Sequence, residues 1–139
     1  MDKLIKQLND FDKSLRRLKE ALDIASENKN NRLFIFLRDS SIQRFEFTFE
    51  IFWKMTKSAL LYFEGVECNS PKSCMRELFR NQYINEEEAN KLIQMIDDRN
   101  LTSHTYNEEV ADILFQKLET YIELMKNVED AIRQKMSNL

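Results

Sequence analysis

Gly65 and Pro71 are the only glycine and the only proline in 139 residues. Sandwiches and barrels need turn residues with special backbone geometry at hairpin after hairpin. This chain has too few of them for either. Helices joined by a few short loops fit instead, so the expected fold class is all-α, with four to five helices. Apolar residues make up 42% and charged residues 32%, a globular mixture rather than the low-hydrophobicity, high-charge balance of a disordered chain. The length suits a single domain spanning residues 1–139, able to bury a core without help from disulfides or metals.

Hydrophobic periodicity places the helices. Leu4, Leu8, Phe11, Leu15, Leu18, Leu22 and Ala25 recur at 4-3-4-3-4-3 spacing, which sets all seven on one stripe of a first helix. The polar run Ser26 to Asn31 is rich in turn and cap formers and reads as the first connection. From about Arg32 to Glu64 a long second helix carries Ile42, Phe45, Phe49, Phe52, Ala59, Leu60 and Phe63, and Gly65 offers a left-handed stop. Phe47, Ile51, Trp53 and Met55 fall off that stripe. The helix should therefore sit centrally in the core or meet another subunit, with core the commoner outcome. The run Leu33 to Leu37 alone could pass for a strand, but no other segment could pair with it, and it is read as helix or the approach to one.

Ser70 followed by Pro71 places a capping hydroxyl before a proline at the first helical position. The short helix this opens should turn Met75, Leu78 and Phe79 inward and Lys72, Arg76 and Arg80 outward. Asn85 before Glu86, Glu87 and Glu88 resembles a capping box with acid in the first turn, and Leu92, Ile93 and Ile96 carry a fourth helix toward Arg99. Asn107 can cap a last helix through Val110, Leu114, Leu118, Tyr121, Met125, Val128 and Ile132.

The net charge is -3, so the chain as a whole lacks the positive field that drives nucleic-acid binding, and any RNA contact must be local. Cys68 and Cys74 are the only cysteines. With no signal-like N-terminus to suggest an oxidising compartment they are expected to be free thiols. No apolar run is long enough for a membrane span, and the expected location is the cytoplasm. A Gly-rich phosphate loop, a Cys/His metal array and a nucleophile elbow are all missing from the sequence. No metal or other cofactor is expected.

What remains is the run Arg99-Asn100-Leu101-Thr102-Ser103-His104-Thr105-Tyr106, across the turn into the last helix. Taken alone, His104 could be a polar loop residue and Arg99 a helix-end cation answering the dipole. The functional alternative is a metal-free ribonuclease. That chemistry needs a proton acceptor for the ribose 2′-hydroxyl, a proton donor for the leaving oxygen and a cation for the crowded phosphorane. His104 is the only histidine, so one chain leaves a proton-transfer role vacant unless another group serves. A two-fold homodimer that brings two copies of the motif together removes the objection.

The Arg99 to Asn107 run, the segment Ile42 to Lys54 and the helix start at Ser70-Pro71 together resemble the HEPN superfamily, most closely its branch of nucleotidyltransferase substrate-binding proteins. The resemblance covers about residues 38 to 110. It implies an up-and-down helical bundle that dimerises and works with a separately encoded minimal nucleotidyltransferase. It also implies roles: Arg99 would bind the scissile phosphate, His104 would exchange protons with the 2′-hydroxyl or leaving group, and Tyr106 would accept AMP. Asn100 matches a polar residue often found after the motif arginine, and would orient phosphate or simply cap the helix. Arg44 and Glu46 match the branch's Arg-Phe-Glu signature, with an internal ion pair as good an explanation.

Lys72, Arg76 and Arg80, spaced four apart, could track an RNA backbone toward the motif or form a solvated helix face. Two functional readings follow: an endoribonuclease toxin silenced by its partner through AMP addition to Tyr106, or a non-catalytic subunit that presents substrate to the nucleotidyltransferase. A helical protein whose motif serves only packing is the bland third.

Overall fold

A computed structural model describes residues 1–139. Five α-helices follow in order: α1 (Asp2–Glu27), α2 (Phe34–Glu64), α3 (Pro71–Arg80), α4 (Glu86–Asn100) and α5 (Glu108–Ser137), with a 3-10 turn at Leu101–His104 between α4 and α5. All seven residues of the first stripe are buried in α1. The run Leu33 to Leu37 is helical from Phe34 onward, because a segment with no strand to pair with satisfies its backbone only within itself. The stops and starts are built from the capping residues. Gly65 takes φ 65° at the end of α2, a left-handed turn that costs glycine nothing. Ser70 with Ser73, and Asn85 with Glu88, form reciprocal capping boxes at the starts of α3 and α4, and the Asn107 side chain accepts the Glu109 and Val110 amides of α5.

The helices pack up and down around α2. Phe11 meets Phe52 at 5.8 Å between ring centroids, and Ser14 meets Thr48 at 2.6 Å, so residue numbers rise along α1 as they fall along α2 and the two helices are antiparallel. α5 covers a second face of α2: Phe115 lies edge-on to Phe34 at 5.3 Å and Tyr121 stacks on Phe45 at 5.8 Å. α3 and α4 pack on each other and close the remaining side. The buried apolar side chains form one cluster of 34 residues. Each large side chain in it contributes about 1.5–3 kcal/mol relative to exposure. No helix is long and apolar enough to cross a membrane.

The α2 residues off the main stripe divide. Met55 is fully buried, Ile51 and Trp53 pack partly against the core, and Phe47 is 49% exposed. Phe79 departs from the expected inward orientation, being 43% exposed. The short α3 covers its neighbours with Cys74, Met75 and Leu78 instead, and Phe79 lies a further 100° round the helix from Leu78.

The cysteines also depart from expectation. Cys68 and Cys74 are joined in a disulfide, with Cα atoms 5.1 Å apart. The segment after Gly65 runs back against the first turns of α3, which buries both sulfurs side by side. Closing so short a loop stabilises a fold by about 2 kcal/mol on chain-entropy grounds. Reduction, or Cys74→Ala, is therefore expected to lower the unfolding free energy by about that amount in urea titrations while leaving the helical circular dichroism unchanged. Equal stability with and without reductant would show that the bridge contributes nothing.

Candidate functional site

The last turn of α4 is anchored from beneath. Asp98 is 4% exposed, accepts a hydrogen bond from the Tyr121 hydroxyl and lies 3.1 Å from the Lys117 amino group, both on α5. Burial first, and then the Asp98 carboxylate, push the Tyr121 hydroxyl well above its ordinary pKa, so it stays a donor at neutral pH. A second clamp holds the start of α5. The Arg38 guanidinium, 2% exposed, reaches Glu108 at 2.8 Å and Asp112 at 2.9 Å, with Asp39 as its third carboxylate partner. The turn that carries the motif is thereby tied to the bundle at both ends.

Arg99 projects from the final turn of α4 toward α2. Its Nη1 donates to Thr102 Oγ1 at 2.9 Å, and the Thr102 hydroxyl in turn donates to the Arg99 carbonyl at 2.8 Å. Its Nη2 stands 3.9 Å from Glu46 Oε2, while its Nε is buried without a hydrogen-bond partner. The guanidinium is thus oriented yet weakly neutralised, which suits a cation meant to meet a phosphate oxygen. After it the 3-10 turn reverses the chain, closed by the Asn107 amide donating to the His104 carbonyl at 3.0 Å.

His104 is exposed, and its ring lies edge-on to Tyr106 with centroids 6.0 Å apart. Tyr106 is 83% exposed, so it does not plug the start of α5. Asn100 is exposed as well. It stands at the N-terminal cap position of the 3-10 turn without a side-chain cap hydrogen bond, its carbonyl accepts from the Ser103 hydroxyl at 3.4 Å, and the cap of α5 is Asn107.

The basic row on α3 is largely engaged locally. Lys72 bridges to Asp97 at 2.7 Å and Arg80 pairs with Glu77, which leaves Arg76 as the one exposed cation of the three without a carboxylate partner. Arg44 and Glu46 do not pair with each other: two residues apart on a helix they point about 200° apart, and Glu46 faces Arg99. Sequence reasoning missed Glu46 as a neighbour of the motif, and Asp98 as its anchor. For Glu46 no local signal exists, since the contact spans α2 and α4. The Arg99 and Thr102 pair, at i and i+3, was open to detection from spacing alone. No three His, Cys, Asp or Glu side chains converge as a metal site would need.

Comparison with known proteins places the chain among relatives. Residues 6–134 match the family described as nucleotidyltransferase substrate binding protein like. A curated protein of Haemophilus influenzae named probable ribonuclease HepT is 28% identical over 99 residues, which is 68% of this chain and 66% of that protein, just under two thirds of its length. A crystal structure from Thermus thermophilus is 38% identical, covering 84% of this chain and 98% of the other at TM-score 0.70. A Haemophilus influenzae structure, described as revealing the fold of a substrate binding domain of a nucleotidyltransferase, superposes at TM-score 0.76 with 23% identity over 91% of this chain and 98% of its own. A tri-AMPylated Shewanella oneidensis HEPN toxin, solved in complex with MNT antitoxin, shares the fold at TM-score 0.76 and 19% identity, covering 96% and 98%.

The anchor under the motif is open to a direct check. Asp98→Ala strands the buried Tyr121 hydroxyl and removes the partner of Lys117, and is expected to cost about 1–3 kcal/mol of stability, read as a lowered urea midpoint. A loss within error of zero would mean that the carboxylate does not hold α4 to α5.

Proposed function

The chain belongs to the family described as nucleotidyltransferase substrate binding protein like, and from that premise we propose that it is the HEPN partner of a minimal nucleotidyltransferase and a metal-independent endoribonuclease toxin. The observation that carries the reading is the motif turn itself. Arg99 is held beside α2 with donors to spare, and His104 and Tyr106 stand exposed next to each other on the adjoining turn. In the proposed reaction His104 removes the ribose 2′-hydroxyl proton, the freed oxygen attacks the adjacent phosphorus, and the bond to the 5′-oxygen breaks. The products are a cyclic phosphate and a 5′-hydroxyl, whose proton comes from His104 of a second copy across a two-fold homodimer. Arg99 neutralises the charge that builds on the phosphorane oxygens. The name of the Haemophilus influenzae relative supports the ribonuclease part of this reading.

Tyr106 supplies the proposed control. Its hydroxyl would attack the α-phosphorus of ATP held by the nucleotidyltransferase, pyrophosphate would leave, and the phenolic proton would pass to a base. The attached AMP would set a phosphodiester near Arg99, where it competes with RNA for the cation, and inhibition would need no change of fold. The tri-AMPylated state of the Shewanella oneidensis toxin supports such a modification in a protein of this fold. The second reading is a non-catalytic subunit that presents substrate to the nucleotidyltransferase. Two observations favour it: the single imidazole per chain and the description of the substrate-binding domain that shares the fold.

Expression of the chain alone should arrest growth, and co-expression with its nucleotidyltransferase should relieve the arrest; harmless expression alone would favour the subunit reading. Arg99→Ala and His104→Ala are each expected to slow RNA cleavage by about 10²–10⁴-fold with thermal stability retained, and cleavage by the unaltered protein should persist in EDTA. Activity that vanishes on chelation would point to another mechanism.

Incubation with the partner and ATP should add the mass of AMP, once or several times, by mass spectrometry. Tyr106→Phe should block the addition while sparing cleavage. Modification of another residue would overturn the assigned acceptor.

A further inference from the structure

Arg44, from the Arg-Phe-Glu segment, is left without a role by the motif chemistry, and its surroundings give it one. It is half-buried. Every other buried or half-buried lysine or arginine in the chain has a partner. Arg38, Lys72, Arg99, Lys117 and Arg133 face carboxylates, and Lys57 lies over the Trp53 ring. Arg44 forms no ion pair, and Glu46 turns away from it toward Arg99. A cation that loses part of its hydration without a counter-charge is poised to take an anion.

The groove beside it strengthens the case. Arg44 lines a cleft of about 190 Å³ between α1 and α2, together with Arg17 and Ser40. Because Ser14 lies opposite Thr48 in the antiparallel pair, Arg17 on α1 stands level with Arg44 on α2. Arg17 is exposed and also forms no ion pair. Glu20 shares the cleft but bridges neither arginine. One turn beyond Arg44 on the same face of α2 comes Phe47, 49% exposed, and one turn before Arg17 on α1 comes exposed Lys13.

Two arginines free of ion pairs and a lysine beside an exposed aromatic ring make the combination that binds single-stranded nucleic acid: cations for the phosphates and a ring for a base to stack on. The placement relative to the motif fits as well. Arg44 and Glu46 border opposite flanks of α2, with the exposed ridge of Gln43 and Phe47 between them, and Glu46 faces Arg99. A strand crossing the ridge spans about 10 Å, the width of one helix.

We propose that the Arg17 and Arg44 cleft is a phosphate subsite for single-stranded RNA, with Phe47 stacking a base between it and Arg99. The assignment rests on the ribonuclease reading for the identity of its ligand, but binding is measurable apart from cleavage. The probe is a short fluorescein-labelled oligodeoxyuridine, which lacks the attacking 2′-hydroxyl, followed by anisotropy over a range of salt concentrations. The Arg17→Gln/Arg44→Gln variant is expected to bind at least about tenfold more weakly, and its salt slope to fall by about 1.4, or roughly 0.7 for each lost phosphate contact to a single strand. Phe47→Ala should weaken binding by about 5- to 150-fold, the value of one stacked base. Lys3→Gln/Lys29→Gln, an equal loss of charge on exposed residues elsewhere, should change the affinity far less.

Unaltered affinity and slope in the arginine variant overturn the proposal, as does an equal loss in the lysine control. A loss of affinity that merely follows loss of the dimer in sedimentation also overturns it, because the face would then be a protein contact. Cleavage by a protein whose arginine variant binds normally sinks the subsite alone. Binding that depends on Arg17 and Arg44 in a protein that never cleaves RNA upholds the subsite and sinks the ribonuclease reading.

Discussion

Burial of α2 against α1 and α5 is the constraint on which the rest of the molecule depends. Phe45, Phe49 and Phe52 are almost wholly withdrawn from water, and they pack against Phe11 of α1 and Tyr121 of α5. Apolar side chains of that size cannot be re-exposed without losing several kcal/mol, so the rotation of α2 about its axis is set by them. Once that rotation is fixed, the polar residues between the aromatics have no freedom left. Glu46 must emerge toward α4, Arg44 toward α1 and Phe47 between them. The chemistry on the surface of α2 is a consequence of the packing beneath it.

The motif turn depends on the same core by a second route. A 3-10 turn of four residues has little burial of its own and would wander if left to itself. It is held because each flanking helix is pinned by a buried charge that has found its partners: Asp98 by Tyr121 and Lys117, and Arg38 by Glu108, Asp112 and Asp39. Such pairs add little net stability compared with apolar replacements, but breaking one is costly, so they specify position more than they strengthen the fold. The motif side chains can then stay exposed without losing their geometry.

The arginines on α2 and α4 illustrate how environment divides one residue type among several tasks. Arg38 is buried and faces three carboxylates; Arg99 is partly matched, at 3.9 Å from Glu46; Arg44 is unmatched. Since guanidinium remains charged throughout the accessible pH range, the difference lies wholly in what neutralises it. Affinity for an incoming phosphate should rise in that order as the internal competition falls, provided access is equal. Access reinforces the ranking, because Arg38 alone is closed to solvent.

Much of the architecture was legible in the sequence, because helix formation is local. The leucine stripe of α1, the left-handed glycine after α2, and the caps at Ser70, Asn85 and Asn107 each depend on residues within a turn or two, and each is found where spacing placed it. The Arg99, His104 and Tyr106 run was likewise visible as a motif, since its members lie close together in the sequence. What could not be read were relations across the bundle. The cysteines were expected free and are bridged, because the return of residues 66–70 onto α3 follows from packing rather than composition. Phe79 was expected inside and lies outside, because a short helix has room beneath it for only one narrow face. Arg44 and Glu46, neighbours in sequence, are parted to opposite flanks of α2, while Glu46 and Arg99 are brought together from helices far apart in the chain. Periodicity determines which face of a helix is apolar, but only the fit of that face against its neighbours determines where the polar residues at its edges point, and that fit is a property of the whole core.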